Sequence, residues 1–224
     1  VLAAREVSSN PLFVGFPNAV GVGGAVLGTR MIYLISKNNS QLNALAFTFL
    51  IGAFGAAIMF YSLIVDSFIL LLFGAFILGI GQSATLQTRY AASFVASEKF
   101  KATALSLAVW FSVFGSVFGP RMVGSYSNFF ENIFNSELIV GYVIALVGML
   151  FAASSLFIFT SKKSILRSPS NLESELNNQN SNKKNGNLLS LLLVLNHFTM
   201  VVIMSATPLH IQDIGETVQL VGII

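Results

Sequence analysis

Long apolar stretches constrain this chain more than any other feature. Six of them lie at approximately 12–34, 42–65, 68–91, 102–124, 138–160 and 188–210. An α-helix rises about 1.5 Å per residue, so about 20 apolar residues cross the roughly 30 Å hydrocarbon core of a bilayer. Segments 42–65, 102–120 and 138–161 contain no Asp, Glu, Lys or Arg. Because a backbone in lipid must satisfy its own hydrogen bonds, each stretch is predicted to be a membrane-spanning helix.

The composition supports the same class of protein. The 224 residues are 54% hydrophobic and only 9% charged, with a mean hydropathy of +0.77. Soluble domains carry about 25% charged residues, so a soluble enzyme is excluded. The alternating pattern of a membrane β-barrel is missing, and the chain contains no cysteine for disulfides or thiolate metal sites. The predicted fold class is therefore all-α, a polytopic transmembrane helical bundle.

The charged residues between the stretches predict the orientation in the membrane. Alternate connections hold basic residues, namely Lys37, then Lys99 and Lys101, then Lys162, Lys163, Arg167, Lys183 and Lys184. The opposite connections hold Asp66, Glu131, Glu137, Asp213 and Glu216, and no lysine. By the positive-inside rule the first set is cytoplasmic, which places the chain in the cell membrane as a multi-pass protein. Membrane topology explains these basic residues better than a nucleic-acid partner does.

One connection differs from the others. Residues 161–187 are rich in Asn and Ser, with few large apolar side chains. Such a segment buries too little surface to offset its ordering entropy, so we predict a flexible cytoplasmic linker. The predicted domains are 1–160 as an N-terminal bundle, the linker 161–187, and 188–224 as the start of a second bundle. A plain connector and a regulatory or partner site both remain open for the linker.

A weak internal similarity supports two related halves. A shift of 207 residues superimposes LAAREVSSNPLFVGF on LHIQDIGETVQLVGI, so that Val14 meets Val221 and Gly15 meets Gly222. Together with the linker, this match predicts two six-helix halves. Parallel repeats of that kind are typical of transporters that rock one half against the other.

The chain resembles the major facilitator superfamily. ALSLAVWFSVFGSVFGPRMVG is similar to the family's fifth-helix antiporter signature, with Gly115, Gly119, Pro120 and Gly124 at matching positions. TRYAASFVASEKFKATALSL resembles the family's connection between helices 4 and 5, and NHFTMVVIMSATPLHIQDIG a seventh helix of bacterial members. The resemblance implies that the chain extends from the end of helix 1 to the start of helix 8.

The chain departs from the family pattern at two places. In GTRMIYLISKNN after helix 2, Gly28 matches, but Ile32 and Tyr33 stand where the family has Asp and Arg. In helix 4, Ala75 replaces an arginine that the family places four residues before its Gly-x-Gly. The gating and proton-handling roles of those family residues therefore do not carry over.

Polar residues within the spans are the candidates for solute contact. Such residues usually face the bundle interior or a watery cavity. Gln82, Thr85 and Arg89 share one face of helix 4, and a polar, methionine-rich stripe marks helix 7. Hydrogen bonding between helices, lipid contact and plain packing are the alternatives. The candidate solute-binding residues are Gln82, Thr85, Arg89, Trp110, Asn196, Met200, Met204 and Thr207.

Small residues are predicted to bring helix backbones close together. Gly21, Gly24 and Gly28 share a face of helix 2, and Gly79-x-Gly81-x-x-Ala84 lies within the apolar span of helix 4. The latter is formally a dinucleotide fingerprint, but that chemistry needs a strand, a turn and an exposed helix N-terminus. Pro120 is expected to end or bend its helix. The residues assigned to packing or gating are Gly28, Gly115, Gly119, Pro120 and Gly124.

These patterns predict a secondary transporter that moves a small solute by alternating access. The fifth-helix signature favours export, and protons are a candidate coupling ion. No phosphate loop, metal-spaced cluster or catalytic triad is found in the sequence, so neither enzyme activity nor a cofactor is expected. The alternative function is a non-transporting membrane receptor or assembly scaffold.

Overall fold

The computed structural model describes residues 2–7, 13–38, 40–134, 138–162, 195 and 199. Among these residues it contains helices and no strand, so the all-α prediction is confirmed. The helices are α1 (Leu2–Val7), α2 (Phe16–Asn38), α3 (Gln41–Ile64), α4 (Phe68–Val95), α5 (Lys101–Phe134) and α6 (Ile139–Lys162), with a 3₁₀ turn at Glu98–Phe100.

Five helices are long and apolar enough to cross a membrane. Their spans are Phe16–Lys37, Gln41–Ile64, Phe68–Ala92, Lys101–Tyr126 and Ile139–Thr160. They correspond to the first five predicted spans. The sixth, at 188–210, lies outside the described residues except for Leu195 and Thr199, where the Thr199 hydroxyl donates to the Leu195 carbonyl at 3.0 Å. The linker prediction also lies outside the described residues, apart from the last two residues of α6.

Two helices differ from the predicted bounds. α2 begins at Phe16 rather than near residue 12, with Pro17 in its first turn. Proline is favoured there because its missing N–H would have no partner within the helix. α5 does not end at Pro120 but continues to Phe134. Proline removes only one backbone donor, and membrane helices tolerate that loss where neighbouring groups satisfy the freed carbonyl.

α4 lies at the centre of the described bundle and packs against both α2 and α3, and α6 packs against α3. Two clusters of buried apolar side chains fill the contacts between these helices. The cluster near the α3–α4 connection contains Ala3, Ala4, Met59, Leu63, Leu71, Ala75 and Ile139. The cluster at the other end contains Ile32, Ala44, Leu45, Phe49, Ala84, Ala91 and Ala153. α4 is therefore held from two sides, while none of the described side chains of α5 between 101 and 126 is buried.

The α3–α4 connection contains a backbone conformation that disfavours most side chains. Asp66 has φ of 50°, and Ser67 caps α4 by accepting a hydrogen bond from the Leu70 N–H at 3.5 Å.

We expect Asp66→Gly to be neutral or stabilising, and Asp66→Val to cost about 1–2 kcal/mol of stability, because a β-branched residue at positive φ is strained. Thermal unfolding in detergent measures both. Ser97→Val, at a loop position with φ of −64°, is the control, and equal unfolding temperatures for all three variants would contradict the expected strain.

Candidate functional site

Three polar side chains form a strip along one face of α4. Gln82, Thr85 and Arg89 fall within about 60° of one another on the helix. Gln82 and Thr85 are exposed, and Arg89 is half-buried. These three residues are called the α4 strip below. Gln82, the member of the strip nearest the N-terminus of α4, lies at the middle of the helix, about 20 Å from either end. The strip therefore extends from the middle of the span toward the end that carries the basic connections.

Among the described residues, α2 and α3 contact α4 through glycines on two other sides, and the face of the α4 strip stays accessible. Gly79 lies against Gly21 of α2, and Gly81 lies against Gly52 of α3. Residues two apart on a helix point about 200° away from each other, so the two glycines serve two different neighbours. The Gly-x-Gly sequence thus lies in the interior of a helix and between packed helices. That context does not suit the strand–turn–helix geometry of a dinucleotide site.

The contact between α2 and α4 brings two backbones together. A Cβ on Gly24 would collide with the carbonyl oxygen of Phe76, and one on Gly79 would collide with that of Gly21. A Cβ on Gly28 would lie 2.6 Å from the carbonyl oxygen of Ile80. Small residues are what allow transmembrane helices to approach this closely. The path of α4, and with it the position of the α4 strip, is therefore fixed by backbone contacts.

The contact between α3 and α4 is built in the same way. A Cβ on Gly52 would lie 2.6 Å from the Cα of Gly81 and 2.8 Å from the Met149 sulfur of α6. A Cβ on Gly74 would lie 2.7 Å from the Cγ of Met59. The order of these contacts shows that α3 and α4 run antiparallel. Helices α2, α3 and α4 consequently form a closely packed trio.

Buried hydroxyl groups in the trio are mostly satisfied by their own helices. The hydroxyls of Thr48, Ser62 and Ser83 donate to carbonyls three or four residues earlier, at 2.8, 2.7 and 2.6 Å. Ser36 differs, because its buried hydroxyl oxygen has no hydrogen-bond partner among the described residues. The polar groups of the described spans that remain available to a solute are thus mainly those on exposed faces.

α1 lies along the strip's face of α4, on the side of Gln82 toward the α3–α4 connection. Ala3 and Ala4 of α1 are buried in one cluster with Leu71 and Ala75 of α4. Leu71 and Ala75 precede Gln82 by eleven and seven residues, which places all three on one face of α4. The α4 strip begins two turns beyond the part of the face that α1 covers.

The candidate residues on α5 lie on a separate helix. Trp110 is 65% exposed, and its ring meets that of Phe114 edge-on at 4.9 Å. A Cβ on Gly115 or Gly119 would have no atom within 4 Å, so the described residues make no close helix contact there. Pro120 lies within the helix, and Gly124 is half-buried. A packing or gating role for these α5 residues stays a prediction.

The candidates on the seventh helix, Asn196, Met200, Met204 and Thr207, lie outside the described residues. Their assignment to the solute site also stays a prediction. Among the residues that the structure does describe, no group of three His, Cys, Asp or Glu side chains is placed to hold a metal ion.

Sequence reasoning overlooked Arg30 on α2. Its side chain is exposed, beside Val26 and Leu34, which are also exposed. Arg30 lies eight residues before the end of α2, about 12 Å along the helix. The signal was present in the sequence, since a charge inside an apolar stretch is a candidate functional residue by default.

Comparison with known proteins gives two relatives in Bacillus subtilis (strain 168). The uncharacterized MFS-type transporters YdeG and YddS are each 27% identical to the chain, over 233 and 234 residues. Each alignment covers 100% of this chain and 54% of the relative, so the chain spans about half the length of the curated relatives it matches. No protein-family model matches the chain, and no solved structure matches it. The chain is thus similar over its whole length to about half of each of these two MFS-type transporters, and its described residues form helices, five of them long and apolar enough to cross a membrane.

Proposed function

We propose that the full-length protein is a secondary transporter that moves a small solute across the membrane by alternating access. The observation that carries the proposal is the α4 strip. Polar side chains at membrane depth are unfavourable in lipid, so an exposed polar strip indicates a water-filled path. Similarity to two MFS-type transporters over the whole chain supports the same function.

The position of Gln82 supports a solute site near the middle of the bilayer. Transporters built from two helical halves bind their solutes near the midplane, between the halves. Gln82 is exposed at the middle of α4, and Thr85 and Arg89 continue the same face toward the cytoplasmic end. The amide of Gln82 can both donate and accept hydrogen bonds. We therefore place Gln82 and Thr85 in contact with the solute.

The packing of α4 supports a rigid-body mechanism. Close backbone contacts join α2, α3 and α4, so these helices are expected to move as one unit. In alternating access such a unit rocks against the other half of the protein and opens the site to each side in turn. Export and proton coupling remain part of the proposal. None of the five spans contains Asp or Glu, so a coupling carboxylate would lie elsewhere in the protein.

Solute flux in proteoliposomes tests the role of the strip. We expect Gln82→Leu to lower the flux of the transported solute about two- to tenfold, which is the effect of losing one neutral hydrogen bond. Gln87→Leu is the matched control, because Gln87 lies on the same helix but away from the strip. Both variants should unfold at the wild-type temperature.

The assay uses the full-length protein, a broad solute panel, and vesicles with and without a pH gradient. Absence of flux for every solute would contradict the transporter function and favour a receptor or scaffold. Equal flux in the two glutamine variants would contradict solute contact at Gln82. A flux that responds to the pH gradient would support proton coupling.

A further inference from the structure

We propose that the transported solute is an anion, carrying a carboxylate or phosphate group, and that Arg30 and Arg89 attract it. This inference rests on the proposed transport function and names the class of its substrate.

The distribution of charge within the spans is the first argument. The five spans contain Arg30, Lys37, Arg89, Lys101 and Arg121, and no Asp or Glu. Lys37 and Lys101 lie at span ends, where the positive-inside rule explains them. Arg89 lies three residues before the end of its span and shares a face with Gln82 and Thr85, and Arg30 lies seven residues before the end of its span. The charge in the described spans is therefore only positive, and one of these charges lies on the α4 strip itself.

The second argument is the depth of these two guanidinium groups. α2 and α4 run parallel, because successive glycines of α2 contact successive residues of α4. Gly28 lies against Ile80 and Ser83, so Arg30 lies close to the level of the α4 strip. Arg30 points about 200° away from Gly28, and therefore away from α4. Among the described residues both side chains are accessible, Arg30 exposed and Arg89 half-buried, and they lie on different faces of the helix pair.

The third argument is energetic. A charge in an apolar environment is strongly unfavourable unless water or an opposite charge accompanies it. The spans offer no carboxylate, so an anion that enters the path would supply the missing charge. The planar guanidinium group donates two parallel hydrogen bonds to a carboxylate or phosphate, a geometry that suits Arg at both positions.

The phosphate of an anionic lipid could supply the same chemistry, but the strip favours a soluble anion. Gln82 continues the polar face to the middle of α4, about 20 Å from either helix end, beyond the headgroup region. A solute whose anionic group meets Arg89 can place its neutral hydroxyl or amide groups against Thr85 and Gln82 on the same face.

Uptake of charge-matched solutes by the full-length protein in phosphatidylcholine vesicles tests the proposal. The panel compares succinate with succinamide and 1,4-diaminobutane, and glucose 6-phosphate with glucose and glucosamine. We expect uptake of an anion to exceed that of its neutral and cationic counterparts at least about tenfold, as one hydrogen bond to a charged group allows. Arg30→Gln and Arg89→Gln should each lower that uptake about tenfold, and Arg→Lys should restore part of it.

Arg121→Gln is the matched control, since Arg121 is an exposed arginine in the outer half of α5. It should leave uptake unchanged. Preferential uptake of a neutral or cationic solute would overturn the anion proposal and leave the transport function standing, whereas no uptake of any solute would overturn both. If an arginine variant fails to fold, the charge preference of the wild-type protein still decides. Anion uptake that needs added phosphatidylglycerol would assign the arginines to lipid and overturn the proposal.

Discussion

Replacing Gly24 with alanine should destabilise the protein by about 1–3 kcal/mol, the usual effect of adding a methyl group to a well-packed contact. The added Cβ would collide with the carbonyl oxygen of Phe76 on α4. That atom belongs to a helix backbone, so it cannot move aside as the end of a flexible side chain can. The two helices must therefore separate, which weakens the contacts of Gly21 and Gly28 as well.

Gly23→Ala is a control on the neighbouring residue. A Cβ there would have no atom within 4 Å, so only the general preference of helices for Ala over Gly applies. We expect this variant to be as stable as the wild type or slightly more stable. Thermal unfolding in detergent, and unfolding by titrated denaturant, measure both variants. Equal stability of Gly24→Ala and Gly23→Ala would show that α2 and α4 are not in backbone contact.

The reciprocal variant on α4 checks the same contact. Gly79→Ala directs its Cβ at the carbonyl of Gly21, so it should destabilise by a similar amount. Gly148 of α6 provides the control, because a Cβ there would meet nothing within 4 Å. Destabilisation by Gly79→Ala without destabilisation by Gly24→Ala would point to a local effect rather than to a shared contact.

These glycines show how far sequence reasoning reaches. Their spacing of three and four residues predicts that Gly21, Gly24 and Gly28 share a face, because helix geometry is local. Their partner helix was not predictable, since packing depends on which surfaces of the other helices complement it. The separate roles of Gly79, which contacts α2, and Gly81, which contacts α3, depend on the positions of both neighbouring helices, so the sequence of α4 alone does not predict them.

The α5 residues mark the limit of the same reasoning. Gly115 and Gly119 resemble a packing motif, yet the described helices leave open space around both. A small residue permits a close contact but does not specify a partner for it. Pro120 likewise disfavours a helix without forbidding it, and α5 continues to Phe134. Arg30 was not predicted for a different reason. It is a single charge on an otherwise apolar face, so it belongs to no polar stripe.

A cysteine at position 65 should react with a membrane-impermeant maleimide in intact cells, whereas one at position 97 should not. Val65 lies in the α3–α4 connection beside Asp66 and is 51% exposed. Ser97 lies in the α4–α5 connection beside Lys99 and Lys101 and is also exposed. The contrast should be close to all-or-none, because a span must turn over entirely for a connection to change sides.

The 224 residues contain no cysteine, so each substitution introduces a single reporter into this part of the protein. Any cysteine elsewhere in the full-length protein is first replaced by serine. Inside-out vesicles should reverse the pattern, with position 97 labelled and position 65 protected. Ala84→Cys, at a fully buried position, should stay unlabelled in both preparations. Labelling of position 97 in intact cells would invert the orientation.

This orientation is expected because the positive charges of several lysines gather at one end of the bundle, and their effects add up. α2 ends and α3 begins at the same end as the α4–α5 connection and the end of α6, so Lys37, Lys99, Lys101 and Lys162 all lie there. Each Lys or Arg beside a span favours the cytoplasmic side. The α3–α4 connection at the opposite end has only Asp66, and acidic residues contribute little to orientation. The same orientation opens the cytoplasmic end of the α4 strip, where Arg89 lies, toward the cell interior. If the orientation were inverted, Arg30 and Arg89 would stand at the external entrance, and the proposed anion would meet them first from outside.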